Sequence, residues 1–292
     1  MKKISVFANF YINDYERFLR MKDSFLSFNK AKIDMWVINV RGKFSKKSID
    51  FFNTKLKKKN FYISSFDSGS WFNDSKQLLD KIDTKYVFFW VEDHICLRQP
   101  KVFNSIINEM DANDLDYLQY SWFIKGLNLK SLDNIRFKQD KNILFLNYTK
   151  SILRKRLNWF KKNNIKNNLL YVISQQSILK LELFTKILNK KEFSLFRKNL
   201  PFAFEKNHRY TNWLPYKIGF VKKEFFASID DDVGHKGYSL ISRGFYEDRI
   251  SSYKKKLIER NRLNSSNRYS LIGQLYYSTL ANKIKKFITK II

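Results

Sequence analysis

The sequence predicts an α/β fold, a mostly parallel sheet flanked by helices, and three observations carry that expectation. Short apolar runs alternate with amphipathic segments from residue 4 to residue 113. The amphipathic segments repeat their apolar residues every three or four positions, as helices do. The run Tyr86 to Val91 is apolar and aromatic without a break, as a buried strand is. Strand–helix alternation requires crossover connections, and these make neighbouring strands parallel with helices on both sides.

Taken in order, Ile4 to Phe10 reads as a first strand. "NDYERFLRMKDSFLSF" follows as a helix, with Asn13 or Asp14 as N-cap and Phe18, Met21, Phe25 and Phe28 on one face. "IDMWVINV" is a second strand closed by Arg41-Gly42, and "SKKSIDFFNTKLKKK" a helix with a basic outer face. "FYISSF" is a third strand, "DSGSW" a loop and "NDSKQLLDKID" a helix with Asn73 or Asp74 near its cap. "KYVFFWV" is a fourth strand, and Pro100 opens the next helix, "PKVFNSIINEMDAN". Beyond residue 115 the alternation fades. "DLDYLQYSWF" reads as a further strand, "SILRKRLNWFKKNNIKNN" as a basic surface helix or loop, and "YVISQQSILKLELFTKIL" as a short strand running into a helix. No internal repeat and no linker rich in Gly, Pro or Ser is apparent, so the second half is expected to pack on the first.

Composition bounds the function. In 292 residues, 44% hydrophobic and 17% aromatic content predict a packed globule and exclude a disordered chain. Fifty-six basic against 27 acidic residues leave +29, which favours polyanions, acidic membrane surfaces or phosphorylated ligands. A single cysteine, Cys96, excludes an internal disulfide and a cysteine-based zinc site, and it suits a reducing compartment. No run approaches the ~18 apolar residues of a membrane span. "MKKISVFANFYIND" lacks a small-residue cleavage site, so it reads as a first strand and not as a leader. A cytoplasmic protein, either free or peripheral on the inner face of the cell membrane, is the expectation.

The stretch "YVFFWVEDHICL" carries the chemistry. A core strand ends in Glu92-Asp93-His94, where a parallel sheet displays ligand groups. The residues suit either a satisfied turn or a site for a divalent ion and a phosphorylated ligand: carboxylates favour Mg²⁺ and Mn²⁺, and an imidazole tilts the choice toward Mn²⁺. The second dense stretch, "FFASIDDDVGHKGYSLISRG", is the most acidic spot in a basic chain. It reads as an exposed glycine turn or as a site in which Asp231, Asp232 and His235 serve a metal and Lys236 meets phosphate.

"ISVFANFYINDYERFLRMKDSF" and "TKYVFFWVEDHICLRQPKVFNSIINEM" resemble the first and fourth strand–helix units of GT-A fold glycosyltransferases of the family 2-like group. Glu-Asp-His stands here in place of that family's Asp-x-Asp. The resemblance implies a GT-A (Rossmann-like) sheet and a nucleotide-sugar donor whose diphosphate is held by Mn²⁺ or Mg²⁺. It places Glu92 near ribose or metal and Asp93 or His94 on the metal, with His235 completing that site. Asn9, Phe10 and Tyr11 stand at the family's first loop, where Phe10 or Tyr11 either stacks on the nucleotide base or is a core aromatic, and Ser68, Gly69 and Ser70 where a loop meets the nucleotide. Glu205 is the first choice and Asp232 the second for the general base on the acceptor hydroxyl. The implied layout is a nucleotide-sugar half at 1–115, an acceptor-side half at 116–250 on the same domain, and basic helices at 251–292. The acceptor is a saccharide or lipid-linked glycan, in bacterial surface polysaccharide synthesis. In the C-terminal stretch, Ile272, Tyr276, Leu280, Ile284, Phe287, Ile288 and Ile291 make one apolar helical face beside four lysines. That face either closes the globule or lies on an anionic membrane surface. The competing functions are a basic nucleic-acid-binding protein, for which no zinc-finger or RNP-like motif is found, and a non-catalytic scaffold of the same fold.

Overall fold

The computed structural model describes residues 2–120, 135–163, 176–189, 215–230 and 239–246. The first half contains β1 (Ile4–Tyr11), α1 (Tyr15–Phe28), β2 (Met35–Arg41), α2 (Ser45–Leu56) and β3 (Phe61–Ser64). It continues with α3 (Trp71–Gln77), β4 (Tyr86–Phe89), β5 (His94–Cys96), α4 (Pro100–Ala112) and β6 (Tyr117–Gln119). The second half adds β7 (Lys138–Gln139), β8 (Ile143–Tyr148), α5 (Lys150–Lys162), β9 (Ser177–Lys180), α6 (Leu181–Leu188), β10 (Tyr216–Val221) and β11 (Phe226–Ser228).

Nine strands form one sheet in the order β3-β2-β1-β4-β9-β6-β10-β8-β7, and β11 pairs with β5 in a separate ribbon. β3, β2, β1 and β4 are parallel neighbours, as the alternation predicts. β9 runs antiparallel between β4 and β6, and β8 antiparallel beside β10, so the sheet is mixed but mostly parallel. Strands from both halves of the chain share this sheet.

The central strands β1, β2 and β4 are buried on both faces because they carry apolar residues at both parities. Val6, Ala8, Trp36, Ile38, Phe88 and Trp90 face α1, α2 and α4, where Phe25, Phe28, Phe52 and Phe103 fill the layer. Phe7, Val37, Val87 and Phe89 face the other way, toward Trp71 of α3 and Phe184 and Leu188 of α6. Asp14 caps α1 by accepting from the Arg17 amide at 2.9 Å. Ser70, and neither Asn73 nor Asp74, caps α3. The helix expected after it begins at Trp71 and ends at Gln77, with a 3₁₀ turn at Leu79–Lys81. The basic stretch after β8 is a helix that buries Arg156 and Phe160.

Gly42 closes β2 with φ +93°, and a Cβ there would lie 2.7 Å from the Ile12 carbonyl oxygen. That close approach lets Ile12 O accept the Phe44 amide at 2.9 Å and brings the ends of β1 and β2 together. No described helix is long and apolar enough to cross a membrane. The apolar face between Ile272 and Ile291 lies outside the described residues.

Candidate active site

After β4 the Trp90 amide still bonds to Phe7 O at 2.9 Å, and the chain then turns at Glu92-Asp93. It resumes as β5, which pairs antiparallel with β11 so that His94 stands opposite Ser228. The Ile229 amide donates to the Asp93 carbonyl at 2.7 Å. The two stretches that stand out in the sequence, Glu92-Asp93-His94 and the chain entering 231–238, are therefore hydrogen-bonded neighbours as far as Asp230.

One seam of α1 holds this turn in register. Arg17 Nη1 lies 3.8 Å from Glu92 Oε1. Arg20 Nη1 lies 2.5 Å from Asp230 Oδ2. The Ser24 hydroxyl donates to His94 O at 2.5 Å and accepts from Trp90 Nε1 at 2.8 Å. Ser27 Oγ accepts the Cys96 amide at 2.9 Å. Positions three and four apart share a helix face, so residues 17, 20, 24 and 27 form one polar row beside the apolar row of Phe18, Met21, Phe25 and Phe28.

The charges in the turn are unequal. Burial pushes the Glu92 carboxyl above the ordinary range, and Arg17 only partly offsets this. Burial pushes Asp93 upward too, but the His94 ring and the charges of Arg17 and Arg20 outweigh it and hold the carboxyl low. The His94 ring packs inside at 3% exposure, with Nδ1 2.7 Å from Asp93 Oδ1. Its Nε2 is buried without a hydrogen-bond partner among the described residues. An inward ring whose near nitrogen is occupied orients Asp93 and does not present an open ligand position.

The fit to a divalent ion follows from these donors. Glu92 and Asp93 offer oxygens, with Arg17 3.8 Å from Glu92, and the second His94 nitrogen is enclosed. Among the described residues, no three His, Cys, Asp or Glu side chains converge to hold a metal. Mg²⁺ and Mn²⁺ on a diphosphate take one or two carboxylates, with phosphate and water in the remaining positions, a demand that Glu92 and Asp93 can meet and the enclosed His94 cannot; His235 lies outside the described residues.

A second group stands at the carboxyl ends of β1 and β2. Tyr11 is 48% exposed, with the Arg41 guanidinium carbon 5.8 Å from its ring centre. Arg41 Nη1 lies 3.6 Å from Asp67 and 3.5 Å from the buried Asp74. Phe10 points the other way, into the core, edge-on to Trp90 at 4.8 Å. Burial removes it as a stacking surface and leaves Tyr11 as the exposed ring. Asn9 is also buried: its amide donates to Trp71 O and Ser75 Oγ, and its oxygen accepts from Asn39. It braces the strand ends from within. The Ser68 amide donates to Asp74 at 2.9 Å, Gly69 takes φ +74°, and Ser70 caps α3, so this loop is tied down beside Arg41.

Glu205, Asp232, His235 and Lys236 lie outside the described residues. The residues that sequence reasoning missed are Arg17, Arg20, Ser24, Ser27, Arg41 and Asp230. The signal for four of them was on the page, a polar row at helical spacing next to the apolar one.

Fold and site define an α/β protein that gathers carboxylates, arginines and an exposed aromatic ring at the carboxyl ends of a mostly parallel sheet. No family model matches the chain, and no curated protein matches it. Among solved structures it is similar to TarS of S. aureus. Residues 1–349 of that protein align with a TM-score of 0.49 and 14% identity, over 95% of this chain and 75% of that one. The same fragment in complex with UDP-GlcNAc gives a TM-score of 0.48 and 14% identity, over 95% of this chain and 76% of that one. The complex with UDP gives 0.47 and 14% identity, over 77% of this chain and 59% of that one.

Proposed function

We propose that this chain is a glycosyltransferase that moves a sugar from a nucleotide-sugar donor to a saccharide or lipid-linked glycan. The observation that carries the reading is the Glu92-Asp93 turn at the carboxyl end of β4, held against the end of β11 by the Asp93 O to Ile229 N bond. Ligands of parallel α/β sheets bind outside these strand ends. Tyr11 at the neighbouring strand end suits the nucleotide because its exposed ring offers a stacking face, and Arg41, paired with Asp67 and Asp74, backs that ring. Arg17, 32% exposed beside Glu92, offers a cation for phosphate on the carboxylate side.

The reaction needs one bond broken and one made. The bond from the anomeric carbon to the leaving phosphate oxygen breaks, and the acceptor oxygen bonds to that carbon. The hydroxyl proton passes to a carboxylate, for which Glu205 is the first candidate and Asp232 the second. The nucleoside diphosphate leaves. Asp93, kept ionised by His94 and the two arginines, supplies a fixed negative charge near the sugar carbon, where positive charge develops in an oxocarbenium-like state. A membrane-side acceptor accords with +29 and with the lysine-flanked apolar stripe between Ile272 and Ile291.

A thermal-shift screen of nucleotide-sugars, each with and without Mn²⁺, tests the reading. One donor class should raise the melting temperature through binding linkage. A shift only with Mn²⁺ would support the metal expectation for Asp93 and His235. A flat response to every donor in both arms would contradict the function. For the membrane surface, full-length protein should cosediment with anionic vesicles better than a chain ending near Arg268, and equal binding would remove the stripe as the anchor.

A further inference from the structure

Asp93 and Asp230 sit on different elements, and α1 reaches both, through Ser24 on the turn that carries Asp93 and through Arg20 on Asp230. Arg20 is 6% exposed, and its Nη1 is 2.5 Å from Asp230 Oδ2. Its neighbours in the α1 seam fix the backbone on either side: Arg17 at Glu92, Ser24 at His94 O and Ser27 at the Cys96 amide. The Ile229 amide ties β11 to Asp93 O, and the Ser228 hydroxyl donates to Asp230 O at 3.0 Å, so Asp230 is constrained from its own strand as well.

We propose that Arg20 is a positioning residue that sets Asp93 and Asp230 relative to one another, an inference that rests on the transferase reading above. A guanidinium suits this task because its planar fork gives its donors fixed directions, so the bond from Nη1 sets how the Asp230 carboxylate is turned beside the Asp93 turn. A lysine offers the same charge as a single point. A buried ion pair contributes little net stability when its desolvation is counted, so its value here lies in fixed geometry. The nucleotide end of the donor is assigned to Tyr11, backed by Arg41, on other elements. Displacing Asp93 and Asp230 should therefore reach turnover without reaching donor affinity.

The test compares Arg20→Lys, Arg20→Met and Asp230→Asn singly, and Arg20→Met with Asp230→Asn together, in the full chain. Initial rates across donor concentration give kcat and KM, and a melting curve accompanies each variant. Arg20→Lys should keep the wild-type melting temperature yet lose roughly tenfold or more in kcat, with donor KM changed by less than about twofold. The double variant should lose no more than the worse single one, because both act through the same contact. Wild-type kcat in Arg20→Lys would overturn the proposal. So would a double variant whose losses multiply, or a loss that only tracks the fraction unfolded. Wild-type protein that transfers from no donor would overturn the glycosyltransferase reading and this role together, whereas transfer by wild type with multiplying losses overturns the positioning role alone.

Discussion

Ser24→Ala removes one oxygen that serves two buried partners. Ser24 is fully buried; its hydroxyl donates to His94 O at 2.5 Å and accepts from Trp90 Nε1 at 2.8 Å. Alanine leaves an indole N–H and a strand carbonyl facing each other across a gap too small to admit water. Each orphaned group costs about 1–3 kcal/mol, so the pair should cost roughly 2–6 kcal/mol. At about 2–4 °C per kcal/mol for a chain of this size, the melting temperature should fall by about 5–20 °C. The assay is thermal unfolding by far-ultraviolet circular dichroism, paired with a urea titration. The midpoint should move while the slope stays constant, which marks a change in stability and not in compactness. Ser27→Ala is the internal control. Its oxygen also has two partners, the Cys96 amide and Ser24 O, but it is only half-buried, so water can replace it and the loss should be smaller. A melting temperature within about 2 °C of wild type for Ser24→Ala would refute the reasoning that α1 grips the site turn through this hydroxyl.

Three further outcomes follow from other contacts. Gly42→Ala should destabilise by more than about 1 kcal/mol, because φ is +93° and the new Cβ meets Ile12 O at 2.7 Å; an unchanged urea midpoint would contradict this. Lys85 and Lys3 hold the Asp111 carboxyl below its ordinary range, and Lys180 and Lys85 do the same for Asp114. A depressed carboxylate contributes stability above its unfolded pKa and loses it as pH falls through the folded one, so Asp111→Asn should flatten the decline in melting temperature on the acid side of the ordinary carboxylate range; an unchanged slope would exclude the pair. Glu205→Gln should lower kcat strongly with little change in donor affinity, since the amide keeps the shape but takes no proton. Weakened donor binding at unchanged kcat would instead assign Glu205 to the donor and leave Asp232 as the base.

The first four strands were legible because each is a short apolar run set between amphipathic helices. Of the two readings open for Phe10 and Tyr11, the core aromatic is Phe10, which follows Val6 and Ala8 on the helix-covered face of β1, while Tyr11 emerges at the strand end. His94 repeats the lesson. "HIC" alternates, and the structure buries His94 and Cys96 while Ile95 faces outward. A strand that resumes after the turn carries the imidazole inward, where a reading of residue types alone expects an open ligand. The polar seam of α1 was missed because only apolar periodicity was followed along that helix. A short strand is expected ahead of the helix in "YVISQQSILKLELFTKIL", and β9 at Ser177–Lys180 is such a strand, but its antiparallel place between β4 and β6 depends on non-local pairing, which a short run of apolar residues does not encode. Asp230 became part of the site only through the β5–β11 ribbon, which joins residues more than a hundred positions apart in sequence.

The most direct measurement is transfer of a labelled sugar by wild type and by Asp93→Asn, with the donor chosen by thermal shift. Asparagine keeps an oxygen for the His94 ring to bond, so the fold and melting temperature should hold. The charge is lost, and turnover should drop by about a hundredfold or more. Product formed by wild type and lost in a folded Asp93→Asn is the result the account predicts. Near wild-type turnover in that variant would contradict the claim that Glu92-Asp93 is the reacting end of a glycosyltransferase.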